Sequence, residues 1–473
     1  MAYYNWFKKF VNILINIFFV FAIIATLFVF TSSFTGLTRI ILFIVILIIY
    51  LLFIYFLKDK IKVLLDKLLH KIDKLDIKKM FIIISLTMIL IKIIYYLLFN
   101  FDATQNGDIL IYNQIADQII KTRSIHTDAI SHLLGVALHF TVFKLLNIPI
   151  HVGMFIVIFV GTIINFFSFK DIIGKNKAFL AVMLYILMPS TSLLSFCPTH
   201  EILLYMYLSI SVFLINKFIK EDRNIKYLYS LLIVINTVLA CLVNPSGNII
   251  LIIMALLILL SKIKNIKKII LAVLVVLCLL GSTVTSKALD INEHTTTMNT
   301  YTILIHGSNP ESLGEQVDGY PLKEMRMYIH EFTEDFSDEG FEEAGKTVLF
   351  NQYKYLITHP LTLFSLIANK IYILWSGNHY SIELAHTYNA FNNITFYVLL
   401  AISTMIYLFV LTIGFVYYKK KEDEVFITNY KLVLLGCFGI TMLCIVTNKY
   451  SLYVTLFIYL ISFYRIYIDE QKY

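Results

Sequence analysis

The chain has 473 residues, of which 59% are hydrophobic and only 15% are charged. Because about a quarter of the residues in a globular chain are charged, this composition excludes an ordinary soluble protein. The formal charge of +8 does not indicate a nucleic-acid partner, because the lysines gather in short loops between apolar runs, which is the positive-inside pattern of a polytopic membrane protein. An odd number of cysteines, five, without metal-ligand spacing and mostly in apolar runs, argues against a disulfide framework.

The apolar runs predict an all-α membrane protein with about twelve transmembrane helices. Each run has roughly the 17–25 residues that a helix needs to cross a hydrocarbon core of about 30 Å. No small-residue cleavage site follows the first run, so we expect that run to be retained as a span. The predicted spans are Phe10–Phe30, Ile40–Leu57, Met80–Phe99, His151–Phe169, Ala178–Phe196, Ile202–Phe218, Tyr227–Val243, Asn248–Leu260, Ile269–Thr285, Asn393–Tyr417, Val425–Val446 and Tyr450–Ile466.

Two further segments predict helices that lie on the membrane surface. Lys58–Lys79 carries eight lysines and four aspartates, with leucine and isoleucine at helical spacing, which predicts an amphipathic helix on the cytoplasmic leaflet. Ala129–Leu146 is long enough to span, but a span here would turn the basic loop Lys170–Lys177 outward. The positive-inside count therefore favours a juxtamembrane helix on the outer surface, although the length allows either arrangement.

This assignment predicts a multi-pass protein of the cell membrane with both termini in the cytoplasm. It places about 26 of the 39 Lys/Arg on the inner side, and all histidines except His70 on or beside outer segments. Ala288–Ser381 is then a long outer segment, and Pro360–Trp375 within it predicts a second surface helix. We divide the chain into four parts. Residues 1–79 are two spans plus the basic helix, and residues 80–287 are a membrane module with the first outer loop 100–150. Residues 288–392 are the long outer loop, and residues 393–473 are the last spans.

The first outer loop contains the best candidate for a catalytic base. The turn signal Asn106-Gly107 precedes a helical pattern on which Asp108, Tyr112 and Ala116 share one face. A carboxylate is thus placed at a helix start, just outside a hydrophobic span. An acid at a helix start also satisfies the helix dipole, so a capping role stays open.

Other outer turns bring polar groups to the same level. Ser195–Glu201 ends in an acid, and Thr447–Tyr450 contains Lys449. Because ionisable groups at the bilayer edge are costly unless they face a cavity or a partner, acids with one lysine suit a site for a phosphate and a hydroxyl nucleophile. The alternatives without a role in chemistry are that Glu201 is only an acid at a helix start and that Lys449 and Tyr450 are a pair snorkelling to the membrane interface.

Two histidines of the surface segment share a helical face. His132 and His139 are seven residues apart, and together with Asp108 they allow a divalent cation, although interfacial histidines more often serve as polar anchors. We expect no cofactor to be required. The motif from Gly307 to Gly314 predicts a loop, with a role in covering a substrate left open.

The order of these features resembles the GT-C superfamily of polyprenyl-phosphate-sugar glycosyltransferases, in the bacterial branch similar to protein O-mannosyltransferases and lipid A aminoarabinose transferases. The features are a span, an outer loop with Asp-x3-Tyr-x3-Ala, surface helices, a basic inner turn, a span ending near Pro189, Thr-x-Glu, Gly-x-Asn-x-x-Ser-x-Gly and a final basic-Tyr pair. The resemblance covers roughly Met80–Phe463. It rests more on architecture than on any one motif, because the motifs are short.

The resemblance implies a role for each matching residue. Asp108 matches the first-loop aspartate that acts as base, Tyr112 follows it in the same motif, and Glu201 matches an acid that shapes a substrate pocket. Lys449 and Tyr450 match a pair, usually Arg-Tyr, near the lipid phosphate. Asn309, Ser312 and the glycines Gly307 and Gly314 match the motif of the long outer loop.

The chain also departs from the family pattern. A Lys-Pro-Pro-like or Tyr-Pro motif that often opens the second surface helix is replaced by residues 126–132, without proline. Phosphate contact would then pass to His132 or Lys144. Many relatives also have two adjacent acids where Asp108 stands alone, with Asp102 six residues earlier.

The reaction implied is a single displacement with inversion, in which the base takes the acceptor hydroxyl proton and polyprenyl phosphate leaves. The Lys/Ile/Asn-rich composition suggests an AT-rich bacterial genome and hence undecaprenyl phosphate as carrier, with a teichoic acid, another polysaccharide, a lipid or a protein as acceptor.

Two alternatives to a transferase remain. A polysaccharide polymerase would be expected to use outer-loop arginines, of which the long outer loop has only Arg326; a flippase or transporter would show inverted repeats and Gly/Pro-broken spans, neither of which is visible in the sequence.

Overall fold

The computed structural model describes residues 2–31, 35–99, 108–124, 131–222, 225–260, 263–288, 293–315, 320–332, 336–377, 379–387, 389–417, 425–443 and 454–466. Within these ranges the chain is almost entirely α-helical, as predicted. The helices are α1 (Ala2–Val29), α2 (Gly36–Asp73), α3 (Ile77–Leu98), α4 (Asp108–Thr122), α5 (Ser131–Leu145), α6 (Ile150–Ile173), α7 (Lys175–Leu187), α8 (Pro189–Ser192), α9 (His200–Lys220), α10 (Ile225–Val243), α11 (Ile249–Leu260), α12 (Asn265–Ala288), α13 (Glu293–Ser308), α14 (Tyr320–Phe332), α15 (Asp338–Thr358), α16 (Pro360–Trp375), α17 (Tyr380–Thr387), α18 (Asn393–Val416), α19 (Val425–Leu443) and α20 (Thr455–Arg465).

Eight helices in the described part of the chain are long and apolar enough to cross a membrane, and up to ten spans result if each of two bent helix pairs counts as one. This architecture is compatible with a polytopic membrane protein. The number twelve stays a prediction, because the predicted spans near α11, α19 and α20 correspond to short apolar helices in the described residues. The eight helices are α1, α2, α3, α6, α9, α10, α12 and α18.

The second predicted span and the predicted basic surface helix form one unbroken helix, α2, of 38 residues. At 1.5 Å per residue such a helix is about 57 Å long, nearly twice the hydrocarbon thickness. The predicted amphipathic face exists, but its apolar residues Leu65, Leu69 and Ile72 are buried in the protein. The basic segment therefore continues the span instead of forming a separate helix.

The fifth predicted span is bent by 75° between α7 and the short segment Pro189–Phe196. Proline lacks the N–H that would continue the helix and disfavours helical backbone in the preceding residue, and Met188 is extended, with φ −73° and ψ 119°. The carbonyls freed by the bend are satisfied locally. Thr191 Oγ1 donates to Tyr185 O, and Ser192 Oγ donates to Ile186 O at 2.5 Å.

A second sharp bend, of 106°, separates α15 from α16 at Pro360. A helix with the predicted bounds Pro360–Trp375 is present, and its position on the membrane surface stays a prediction. Its C-terminal end enters the helix bundle, where the ring of Trp375 packs 4.8 Å from that of Phe18 near the middle of α1.

The described parts of four basic connections, α2–α3, α6–α7, α9–α10 and α11–α12, lie together at one end of the bundle. Ion pairs join them in sequence: Asp73 to Lys175 at 3.5 Å, Asp171 to Lys217 at 3.1 Å and Asp222 to Lys264 at 2.7 Å. Hydrogen bonds from Lys264 and Lys267 lower the pKa of Asp222 to about 2. The predicted loops thus share one side of the molecule, while the orientation of that side in the cell stays a prediction.

Inside the bundle, polar side chains fix α6 against α9. Asn165 Nδ2 donates to Ser209 Oγ at 2.7 Å, and the hydroxyls of Thr162 and Tyr205 lie 3.1 Å apart. Because unsatisfied polar groups are costly in a membrane interior, these pairs define one register for the two helices. That register positions the first turn of α9.

Candidate functional site

The turn Ser195–Glu201 is the centre of the candidate site, because residues of α3 and α4 contact it. Tyr112, on α4 within the first outer loop, places its hydroxyl 3.3 Å from Nδ1 of His200. Lys92, on α3 before the loop, donates from Nζ to Ser195 Oγ at 2.5 Å. Both helices are therefore held against the same turn, which is 88 residues from Tyr112 and 103 residues from Lys92 in sequence.

Helix α4 brings its predicted face to this turn. Tyr112 and Ala116 are buried, together with Ile109 and Ile119, so the apolar stripe follows the helical period. The ring of Tyr112 packs edge-on against Phe140 of α5, with centroids 5.9 Å apart. The first residue of α4 is Asp108, one turn before Tyr112.

The acid of the turn lies in the first turn of α9. Glu201 is fully buried, and its Oε1 lies 2.9 Å from Nε2 of His200. Nε2 is thus the ring nitrogen that faces the acid. With a proton on Nε2, Nδ1 of His200 can accept the hydroxyl proton of Tyr112.

A second histidine–tyrosine pair lies one to two turns along α9. His139 Nδ1 donates to the carbonyl of Gly135 at 2.7 Å, and its Nε2 lies 2.6 Å from the hydroxyl of Tyr207. Burial lowers the pKa of His139, so the neutral ring donates through Nδ1 and accepts the Tyr207 proton at Nε2. Asn236 Nδ2 in turn donates to the Tyr207 carbonyl at 2.8 Å.

Lys92 was not singled out in the sequence, yet its ammonium lies at the other end of the turn. Besides its bond to Ser195, it sits 3.0 Å from the centroid of the Phe196 ring, which is cation–π distance. The signal that could have found it is spacing. Lys92 continues the buried stripe Met80, Ile84, Met88 at intervals of four residues, so it points into the protein and not toward lipid.

Asn309 organises its own loop. Its Oδ1 accepts from the backbone N–H of Glu311 at 2.9 Å and of Ser312 at 3.4 Å. Gly314 has φ +86°, where a Cβ would lie 2.7 Å from Cε of Lys370. The predicted loop motif therefore describes a turn packed against α16, and its role toward a substrate stays a prediction.

The remaining predicted positions are not brought into the site by described atoms. The side chains of Asp108 and His132 and the residues Lys449 and Tyr450 lie outside the described residues. Lys144 is described, and its Nζ pairs with Asp117 at 2.8 Å on the outer side of α4. Across the described ranges, no group of three His, Cys, Asp or Glu residues has the arrangement of a metal site.

No protein-family model matches the chain, and no curated protein or solved structure matches it. The resemblance to polyprenyl-phosphate-sugar transferases therefore rests on the motifs and the order of elements described above.

Proposed function

We propose that the protein is a membrane glycosyltransferase that moves a sugar from a polyprenyl-phosphate carrier to a hydroxyl of a cell-envelope acceptor. The reaction would take place at the outer face of the cell membrane, with both termini in the cytoplasm. The observation that supports this most is the contact of Tyr112 with His200. It holds α4, the helix that begins at Asp108, against the turn that ends at Glu201.

In the proposed reaction the base is Asp108. The acceptor hydroxyl oxygen attacks the anomeric carbon, its proton passes to the Asp108 carboxylate, and the bond to the carrier phosphate oxygen breaks with inversion. General-base help of this kind contributes about 10²–10⁴ in rate. Glu201, fixed beside His200, would shape the pocket for one of the two substrates.

The leaving group determines what else the site needs. The donor is a phosphodiester, and cleavage of its bond to the sugar releases polyprenyl phosphate, a monoester that is stable without a proton. A cation near this phosphate lowers the barrier by stabilising the developing charge. A divalent cation is therefore allowed but not required. Lys449 with Tyr450, matched to the family pair near the phosphate, is the candidate from the sequence.

A second candidate function is transport of a lipid-linked sugar across the membrane. The bend of 75° at Met188 supports it, because broken helices near substrate sites are typical of transporters and such a break was not expected from the sequence. The two functions predict different products. A transporter moves the intact donor across the bilayer, whereas a transferase releases the carrier phosphate.

The experiment uses membranes with matched amounts of wild type, Asp108→Asn and Asp117→Asn. Each preparation receives a panel of radiolabelled polyprenyl-phosphate sugars with cell-envelope extract as acceptor, and release of polyprenyl phosphate is measured. Asp117 lies on the same helix and forms only a surface ion pair with Lys144, so it is the matched control. We expect turnover of one donor, a loss of at least about a hundredfold in Asp108→Asn and no loss in Asp117→Asn.

The other outcomes separate the alternatives. Turnover that survives in Asp108→Asn makes Asp108 a helix cap and moves the search for the base to Asp102 or Glu201. Protein-dependent movement of intact donor across vesicles, without release of carrier phosphate, contradicts the transferase and supports the transporter. Chelation and re-addition of Mg²⁺ or Mn²⁺ in the same assay tests the cation.

A further inference from the structure

Lys92 is a cation inside a membrane-spanning helix. It lies six residues before the last residue of α3, about 9 Å along the helix axis from its end. Its side chain is partly buried and continues the stripe that faces the bundle. Ionisable residues at such positions are costly and usually line a pathway or bind a ligand.

The contacts of Lys92 leave its charge without an acid. The ammonium has three N–H donors, of which one is used by Ser195 Oγ and another faces the Phe196 ring. Among the described residues no carboxylate lies within ion-pair distance of Nζ. A partly buried cation without an ion-pair partner is costly, so this position favours the entry of an anion.

The ammonium borders a small, half-open cavity at the Met188 bend. The cavity lies between α3, α6, α7 and the segment that follows the bend, and its volume is about 30 Å³. Among the described residues that line it, most are apolar and Lys92 is the only charged one. The hydroxyls of Thr191 and Ser192 already donate to backbone carbonyls, so they can accept but have no free proton to offer an anion.

We propose that Lys92 binds the phosphate of the polyprenyl-phosphate lipid, with the apolar cavity walls against the first part of the prenyl chain. The inference rests on the proposed function for the identity of the lipid, whereas the ammonium beside apolar walls is suited to any phosphate carried on an apolar chain. The cavity now has room for about two water molecules. Entry of the phosphate therefore requires α3, which has only three buried residues, to shift outward.

The test measures binding without any transfer step. Purified full-length protein in nanodiscs is titrated with radiolabelled undecaprenyl phosphate, undecaprenol and inorganic phosphate. The variants are Lys92→Met, Lys92→Arg and, as a control on the same helix, Lys79→Met, whose ammonium is exposed and lies 3.8 Å from Asp76. Elution volume and thermal midpoint show whether each variant is folded.

We expect undecaprenyl phosphate to bind the wild type, at least tenfold weaker binding in Lys92→Met, and less than threefold change in Lys92→Arg and Lys79→Met. Undecaprenol should bind wild type and Lys92→Met equally. Equal binding of undecaprenyl phosphate to wild type and a folded Lys92→Met overturns the proposal, as does the absence of binding to wild type. Binding of inorganic phosphate as tight as that of the lipid, and lost in Lys92→Met, makes this a free-phosphate site and also overturns it.

If Lys92→Met is unfolded, Lys92→Gln and Lys92→Arg are compared instead. The proposal is supported if lipid binding is lost in folded Lys92→Gln and kept in Lys92→Arg. The binding result is independent of turnover. A Lys92-dependent lipid site in a protein that transfers no sugar supports this inference and contradicts the proposed function. Turnover of a donor by the wild type, together with unchanged lipid binding in Lys92→Met, supports the proposed function and contradicts this inference.

Discussion

The hydroxyl of Tyr112 lies 3.3 Å from Nδ1 of His200, although the two residues are 88 positions apart. This contact joins α4, within the first outer loop, to the first turn of α9. It also fixes the imidazole that stands beside the buried Glu201. Substitutions here therefore report on both packing and chemistry.

Replacement of Tyr112 by phenylalanine removes the hydroxyl and keeps the ring against Phe140. We expect a loss of about 1 kcal/mol in stability, the usual net value of one hydrogen bond, and a drop of about tenfold in kcat/KM for the donor. Thermal unfolding in detergent and the carrier-release assay measure the two effects. Tyr55→Phe, at an exposed position of α2, should change neither, and an unaltered rate in Tyr112→Phe would assign the contact to packing alone.

Stability should fall as the pH is lowered from about 6.5 to about 4. Burial lowers the pKa of His379 to about 4, whereas an unfolded histidine titrates near 6.5. Below pH 6.5 the unfolded chain takes up the proton and the folded chain does not, so protons favour unfolding by up to about 1.4 kcal/mol per pH unit for each such histidine. His139, whose pKa burial also lowers, adds to the slope in the same direction.

Thermal midpoints measured between pH 7.5 and 4.5 test this pH dependence. His379→Gln should give a flatter dependence than the wild type, even if its midpoint at pH 7.5 is lower. His386→Gln is the control, because His386 is not deeply buried and pairs with Asn393 near the surface. An identical slope in His379→Gln and the wild type would contradict the prediction.

Gly314→Ala should destabilise the long outer segment. The backbone has φ +86°, and the added methyl group would meet Cε of Lys370 at 2.7 Å and the carbonyl of Gly307 at 3.2 Å. Strain of this kind costs about 1–3 kcal/mol. Limited proteolysis should cut the segment near residue 315 faster in the variant, whereas Gly439→Ala, with open space around its Cβ position, should behave as the wild type.

The shared side of the basic loops can be tested by cysteine labelling in intact cells. In a background without the five native cysteines, Lys74→Cys and Lys264→Cys should be protected from an impermeant maleimide, because both lie at the end of the bundle joined by the ion pairs of Asp73 and Asp222. Glu339→Cys, in the acidic outer segment, should be labelled. Labelling of all three sites, or of Lys264→Cys alone, would contradict the topology.

The long apolar runs predicted from the sequence are helical in the described residues, and eight of those helices are long and apolar enough to span a membrane, because hydropathy over about 20 residues is the main signal of a span. The bends within the apolar runs were not predicted from the sequence. The bend at Met188 depends on Pro189 together with the hydroxyls of Thr191 and Ser192 that take up the freed carbonyls, and hydropathy averages such local chemistry away.

The candidate site shows the same division. Tyr112 was proposed from face periodicity and Glu201 from an acid at a helix start; both are buried, and their roles toward a substrate stay predictions. Lys92 was missed because hydropathy analysis tolerates a single lysine in an apolar run. Its role can be inferred only when the structure shows that its side of α3 faces the protein and that Ser195 lies opposite.

The unbroken α2 also has a mechanical consequence. Its apolar half is long and apolar enough to cross a membrane, its lysine-rich half continues the same helix, and no hinge separates the two. A rod of this kind can tilt but cannot fold flat onto the headgroups without breaking its own hydrogen bonds. Because Asp73 near its tip is tied to Lys175, any tilt of the rod in the lipid is transmitted to α7, the helix that ends at the Met188 bend.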